Sequence, residues 1–289
     1  MITLNKTDQI MQSFCDSEFG KLIRVAVCEP EHIEIRDPIN ETQKQYTKEG
    51  IDTEKAMYQH GEFCRVMEDN GVEVIRLSPL QEHPEQVFTR DIAFTLGKTI
   101  FVAEMAAQVR IGEEDHLKDW LKKEKISYYN ILGDTIEGGD IIVDGSNIYA
   151  GISDRTNRAS VEHLESLLPS HSVVPIAFPH KYLHLDCIFN ILSPEHAILF
   201  KGVMDEFDEE LLTSRYDCIE VSEEEQFTLG TNVLSLGNGT VISLPVNKDV
   251  NRKMRDKGYQ VIEVDISEII KSGGSFRCCS MPILRQRSY

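Results

Sequence analysis

Four stretches of this chain repeat one layout: an apolar strand, a tight turn, a second strand, a helix-period stretch and a third strand. The turns fall at Gly97-Lys98, Asp144-Gly145, Pro194-Glu195 and Asn238-Gly239. Gly and Asn tolerate the positive φ that a short hairpin loop demands, and Asn-Gly is the strongest two-residue signal of this kind. The spacing predicts strand pairs at 87–96 with 99–103, 140–143 with 148–151, 187–192 with 197–200, and 233–236 with 240–244. An apolar helical face follows each pair. These faces carry Leu117, Trp120 and Leu121; Val161, Leu164 and Leu168; Leu211 and Leu212; then Val250 and Met254. Pro169 and Gly258 end the second and fourth of them. A looser fifth copy lies at the N-terminus: a strand at 23–28, a helix with Met57, His60, Cys64 and Met67 on one face, an Asn70-Gly71 stop, and a strand at 72–77.

A single unit of this kind cannot cover its own apolar face. Five in succession are best stabilised around a common axis, with helices outside and strand ends lining a central channel. The predicted fold is therefore α/β, a five-unit ββαβ propeller with pseudo-fivefold symmetry; an α+β sandwich with coincidental spacing is the alternative. Residues 1–289 are expected to form one catalytic unit, with the polar residues 1–20 as an arm. A formal charge of −18 opposes binding to nucleic acid or to an anionic membrane, and it favours a small cationic partner. Seven cysteines at irregular spacing, with no C-x-x-C pair, suggest neither a disulfide framework nor a metal site. No cofactor is implied, and a homo-oligomer is compatible with the sequence. No stretch reads as a secretory signal or as a membrane span, so the expected location is the cytoplasm.

Polar residues recur at one phase of the repeat. Asp91, Glu137, His184 and Asn232 stand at the entries of successive units, and Cys278 lies one further period on. A repeat fold would bring two acids, an imidazole, an amide and a thiol to one mouth. Taken singly, each has a bland reading as a solvated acid, a structural His or an inert buried Cys; their common phase argues against all of these at once. With alternating strand geometry, His184 and Asp186 should share a face, while Cys278 and Cys279 should point to opposite faces. Gly273-Gly274 reads both as a helix C-cap and as a place of close backbone approach.

Five pieces in order carry a resemblance: Phe88-Thr89-Arg90-Asp91, Glu137-Gly138-Gly139-Asp140, Ser153-Asp154-Arg155-Thr156-Asn157, His184-Leu185-Asp186, and Arg277-Cys278-Cys279-Ser280-Met281-Pro282. Together they resemble the guanidino-modifying enzymes of the pentein superfamily, which include arginine deiminase and dimethylarginine dimethylaminohydrolase. The resemblance implies a five-unit propeller with Cys278 as nucleophile and His184 and Glu137 as catalytic partners. Paired carboxylates match the planar donors of a guanidinium, so Asp91 and Asp186 are its expected acceptors, and the resemblance implies Arg110 and Arg155 as a clamp for an α-carboxylate and Glu85 as the acceptor of an amino group. Glu85 stands where the dimethylaminohydrolases carry Asp and the deiminases carry Asn. The expected activity is hydrolysis of a guanidino C–N bond of arginine, a methylarginine or a related guanidino acid, without metal or cofactor. Amidinotransferases, noncatalytic penteins such as the ribosome anti-association factor, and cysteine peptidases are the competing readings.

Overall fold

The computed structural model describes residues 12–288. Its strands form five three-stranded sheets, and each repeats one connection pattern. The first two strands of a unit pair antiparallel, and the third, reached through a helix, pairs parallel with the second. Four units run consecutively: Ala93–Leu96, Thr99–Val102 and Tyr128–Asn130; Ile141–Asp144, Asn147–Ile152 and Ser172–Ala177; Phe189–Ile191, His196–Leu199 and Asp217–Glu220; Leu234–Gly237, Thr240–Ser243 and Gln260–Glu263. The looser N-terminal copy is completed from the far end of the chain. Met281–Arg285 pairs antiparallel with Leu22–Cys28, which in turn pairs parallel with Glu73–Leu77.

Five apolar clusters fill the seams between consecutive sheets, and this is what closes the ring. Phe94, Leu96 and Phe101 of one sheet pack with Ile141, Val143 and Ile148 of the next. Ile142 and Tyr149 then meet Phe189 and Ile191, and Leu192 and Ile198 meet Val233 and Val241. Leu234 and Ile242 meet Val25 and Val27, and Ala26, Cys28 and Met281 return to Ile100 and Val102. The continuous apolar runs of these strands follow from burial on both faces. Truncating one seam residue such as Phe94, which is 1% exposed, should cost about 3–5 kcal/mol.

The expected turns are present, with φ of +52° at Gly97, +62° at Gly145, and +53° and +75° at Asn238 and Gly239. The predicted strand at 87–96 is shorter than expected: only Ala93–Leu96 is extended, and a single helical turn, Thr89–Ile92, precedes it. Of the expected N-terminal arm, residues 1–11 lie outside the described residues. Phe14, Cys15 and Ser17 bridge to Leu284, Gly97 and Asp144, so this stretch is bound across three sheets.

Candidate active site

The residues that share a phase in the sequence occupy equivalent places in the fold, namely the turn before each unit's first strand. Asp91 lies in the turn Thr89–Ile92. Glu137 and His184 each immediately precede a 3₁₀ turn, Gly138–Asp140 and Leu185–Cys187, and Cys278 lies in the turn before Met281–Arg285. This corrects the strand-face geometry expected for His184 with Asp186 and for Cys278 with Cys279: a tight turn, not a pleat, aims these side chains. Asp140 holds one such turn in place, accepting from Leu185 N at 2.9 Å and from Ser153 Oγ at 2.7 Å. Glycine makes the close approaches possible. A Cβ at Gly139 would sit 2.6 Å from the His184 ring, and one at Gly274 would sit 2.3 Å from Phe88 and 3.0 Å from the Cys278 Cβ. Gly273, with φ +97°, turns the chain after the helix Ser267–Ile270.

The His184 imidazole is fully buried between two carboxylates. Its Nε2 is 2.8 Å from Glu137 Oε2, and its Nδ1 is 3.6 Å from Asp91 Oδ1. Burial works against a charge on this ring, but Asp91, Glu137 and Asp140 outweigh it and raise its pKa. Burial likewise favours the neutral form of Glu137, yet His184, Arg110 and Arg155 hold its carboxyl well below the usual range. The ring is therefore an imidazolium at neutral pH. Asp91, Glu137 and His184 bring ligand atoms within 4.8 Å of one another, a cluster of metal-binding residue types. The two acids face opposite ring nitrogens, Glu137 through a hydrogen bond and Asp91 through a longer ionic contact.

Cys278 is 2% exposed. Its backbone N–H donates to Asn232 Oδ1 at 3.1 Å, and its thiol donates to Asp186 Oδ2 at 3.8 Å. Asn232 Nδ2 in turn donates to Asp186 O at 3.4 Å. Burial, then the charges of Asp186 and Asp91, push the Cys278 thiol well above its ordinary pKa, so the unliganded site holds S–H. Asp91 acts electrostatically on both Cys278 and His184. One of its oxygens accepts from Arg110 Nη1 at 2.6 Å; the other, Oδ1, has no hydrogen-bond partner among the described residues.

Glu85 accepts from Gln43 Nε2 at 2.7 Å and from Ser272 Oγ at 3.0 Å, and burial raises its carboxyl to about 7. Arg110 is bound to Glu113, with contacts of 2.8 and 3.0 Å, as well as to Asp91. Arg155 donates to Ile39 O at 3.2 Å, while its Nη1 lies 3.8 Å from Glu137 Oε1. The eight predicted site residues thus fall into two connected groups. Cys278, Asp186, Asp91, His184 and Glu137 form one, and Arg155, Arg110 and Glu85 adjoin it.

Sequence reasoning missed the support beneath this site. Arg277 Nη1 donates to Asp186 Oδ2 at 2.6 Å and its Nη2 donates to Glu18 Oε1 at 3.1 Å, while Arg90 Nη2 donates to Glu18 Oε2 at 3.0 Å. Burial disfavours the Glu18 carboxylate, but Arg277 and Arg90 lower its pKa to about 2. The available signal was that Arg90 and Arg277 directly precede Asp91 and Cys278 in the sequence.

The family described as N,N dimethylarginine dimethylhydrolase, eukaryotic, matches residues 29–285. The chain belongs to this family, within the pentein superfamily. At the level of the family, its activity is guanidino-group hydrolysis. The uncharacterized protein YkgA of Bacillus subtilis is 46% identical over 274 residues, covering 95% of this chain and 96% of YkgA. The N(G),N(G)-dimethylarginine dimethylaminohydrolase of Pseudomonas aeruginosa is 29% identical over 237 residues, 80% of this chain and 89% of that protein. In fold, the pentein chain resembles the N-terminal domain of the cyanobacterial arginine dihydrolase ArgZ, with a TM-score of 0.82 at 22% identity over 91% of this chain and 98% of that one. It also resembles the amidinotransferase SxtG of Microseira wollei, with a TM-score of 0.84 at 18% identity over 96% and 98%.

Proposed function

We propose that this pentein hydrolyses a C–N bond of the guanidino group of arginine, a methylarginine or a related guanidino acid, through a covalent adduct on Cys278. The observation that carries the reading is Asp91 Oδ1, a buried acceptor with no hydrogen bond among the described residues and a long 3.6 Å contact to His184 Nδ1, whose charge acts on both the thiol and the imidazolium. A buried carboxylate oxygen without a partner is costly, and a planar cation with several N–H donors fits it. Asp91 and Asp186 then hold the guanidinium, and the bound positive charge offsets the two acids that keep the proton on sulfur. Substrate binding thereby favours release of the thiol proton to solvent, and the resulting thiolate attacks the guanidinium carbon.

His184 enters the reaction charged, so it donates its proton to the departing nitrogen as the C–N bond breaks, leaving a thiouronium on Cys278. Neutral His184 next takes a proton from water, hydroxide adds to the thiouronium carbon, and the thiolate leaves. The net change is guanidinium plus water giving a ureido product and an ammonium ion. Glu137 keeps the ring oriented and charged. All seven cysteines are described as free thiols, which suits a reducing cytoplasm.

A product screen over arginine, mono- and dimethylarginine, agmatine and guanidino acids, with and without glycine or lysine, tests the reading. Citrulline or another ureido product, with release of ammonia or a methylamine, is expected. Amidino transfer to the added amine in excess of hydrolysis would replace the hydrolase with a transferase. Inertness toward the whole panel, with Cys278 unreactive to alkylation, would favour a binding protein.

A further inference from the structure

The six-residue helix Glu41–Tyr46 buries one side chain, and that side chain is polar: Gln43, at 1% exposure. A helix placed only to cover a site would press an apolar residue inward. Here the amide is held in a fixed orientation, because its Oε1 accepts from Ile39 N at 2.8 Å and so commits Nε2 to the interior. Nε2 donates to Glu85 Oε1 at 2.7 Å, to Ser272 Oγ at 2.9 Å and to Ser272 O at 3.2 Å. One nitrogen thus meets three acceptors, one of them a buried carboxylate, which is the surrounding an alkylammonium would select.

The segment bearing Gln43 is also tied to the mouth of the site. Asn40 Nδ2 donates to Ser272 O at 3.0 Å, and Ile39 O accepts from Arg155. A Cβ at Gly273 would come within 2.7 Å of the Asn40 side chain, so the two segments fit closely. The flanking groove of 410 Å³ reaches Asn40, Thr42, Cys187 and Gly273; among the described residues, its lining does not include Cys278. Cys278, His184, Glu137 and Asp91 are all at most 2% exposed.

We propose that Gln43 is a specificity-determining residue: its amide occupies the amine subsite on Glu85 and Ser272 in the empty enzyme, and the α-ammonium of an amino-acid substrate displaces it. The inference rests on the guanidino-acid reading above, since that reading supplies the ammonium. A substrate bearing this group exchanges a neutral donor on Glu85 for a charged one. A guanidino acid without it leaves the amide in place.

The test compares arginine with its des-amino analogue, 5-guanidinopentanoate, on the full-length chain. Gln43→Ala removes the competing donor and should raise the ratio of kcat/KM for arginine over the analogue about tenfold, the scale of one hydrogen bond to a charged group. Gln43→Lys sets a permanent cation on Glu85 and should lower the same ratio about tenfold. An unchanged ratio in both variants, or a lower ratio in Gln43→Ala, overturns the proposal, because a residue that only closes the site would affect both compounds alike. Calorimetry of both compounds on Cys278→Ser protein, with and without each Gln43 substitution, gives the comparison without turnover. Binding of neither compound would bring down the guanidino reading and this inference together. Binding with an invariant ratio would bring down this inference alone.

Discussion

Two buried charge clusters meet at Asp186, an upper one around His184 and a lower one around Glu18, and they differ in what they have left over. In the upper cluster, Asp91, Glu137, Asp140 and Asp186 surround one imidazolium and one thiol, and Asp91 Oδ1 lacks a donor. In the lower cluster, Glu18 receives both Arg90 and Arg277, and nearby Arg285 donates to Gly20 O and Ser235 O. Among the described residues, the unpaired buried atoms of the upper cluster are an acceptor and a donor that face each other at 3.6 Å, Asp91 Oδ1 and His184 Nδ1, whereas those of the lower cluster are both donors, Arg90 Nε and Arg285 Nη2. Asp186 joins them, taking Arg277 from below while facing the Cys278 thiol. The difference separates a set of charges with an acid oxygen that lacks a hydrogen bond, Asp91 Oδ1, from one whose acid already carries two arginines. Both are buried, so an electrostatic change in either is expected to be large.

The strongest way to break this comparison is at the sulfur. Cys278→Ser should lower turnover by more than roughly a thousandfold, because a hydroxyl is far harder to ionise in the same acidic surroundings. Its melting temperature should stay close to wild type, since the thiol contributes only a long contact to Asp186. Retention of appreciable turnover would place the chemistry elsewhere. Next is Glu137→Gln, expected to lower kcat about a hundredfold. It should also move the alkaline limb of the pH profile to lower pH. His184 has its pKa raised in part by Glu137, so activity that needs the imidazolium is lost as pH climbs through that raised value, and removing the acid lets the loss begin earlier. An alkaline limb that does not move would remove His184 from the role of acid.

In the lower cluster the readout is stability. Arg277→Met leaves Glu18 with one partner and Asp186 without its arginine, and should destabilise the fold by about 3–5 kcal/mol, measured by urea unfolding at neutral pH. The pH dependence fixes the cause. Glu18 has a folded pKa depressed to about 2, so its contribution is present above the ordinary carboxylate range and is lost as pH falls toward 2. The gap between wild type and variant should therefore narrow on acidification. A gap independent of pH would mean lost packing, not lost charge.

How legible these regions were depends on whether the signal is periodic. The hairpin turns at Gly97, Gly145 and Asn238 were readable because positive φ restricts residue choice, and the phase of Asp91, Glu137, His184 and Cys278 was readable because the fold repeats its turn before every first strand. The strand facing of His184 and Asp186 failed because Gly138–Asp140 and Leu185–Cys187 are 3₁₀ turns, which a pattern of alternating apolar residues does not announce. The closure of the ring by Met281–Arg285 was missed because it pairs residues from opposite ends of the chain. Glu18 falls in a stretch that reads as a polar arm, and Gln43 in a short exposed helix. Their burial comes from tertiary partners, Arg277 for one and Ser272 for the other, that no local sequence rule connects to them.

The smallest expected effect is also the sharpest within the upper region, because it compares adjacent residues of one type. Cys279 is as buried as Cys278, and burial pushes both thiols well up, with Asp91 contributing in each case. What distinguishes them is direction. Both border the apolar seam that holds Phe63 and Phe276, but the Cys278 thiol meets Asp186, while the charges acting on Cys279 are those of Asp91 and Cys64. Cys279→Ser should therefore retain turnover within about threefold and lose about 1–2 kcal/mol of stability, the cost of a buried hydroxyl whose partners are not provided. Initial rates of product formation and urea midpoints on the same preparation check both numbers. If Cys279→Ser instead abolished turnover while Cys278→Ser retained it, the thiol beside Asp186 would not be the nucleophile, and the grip of Asp91 and Asp186 on a cation would have to be reassigned around the other sulfur.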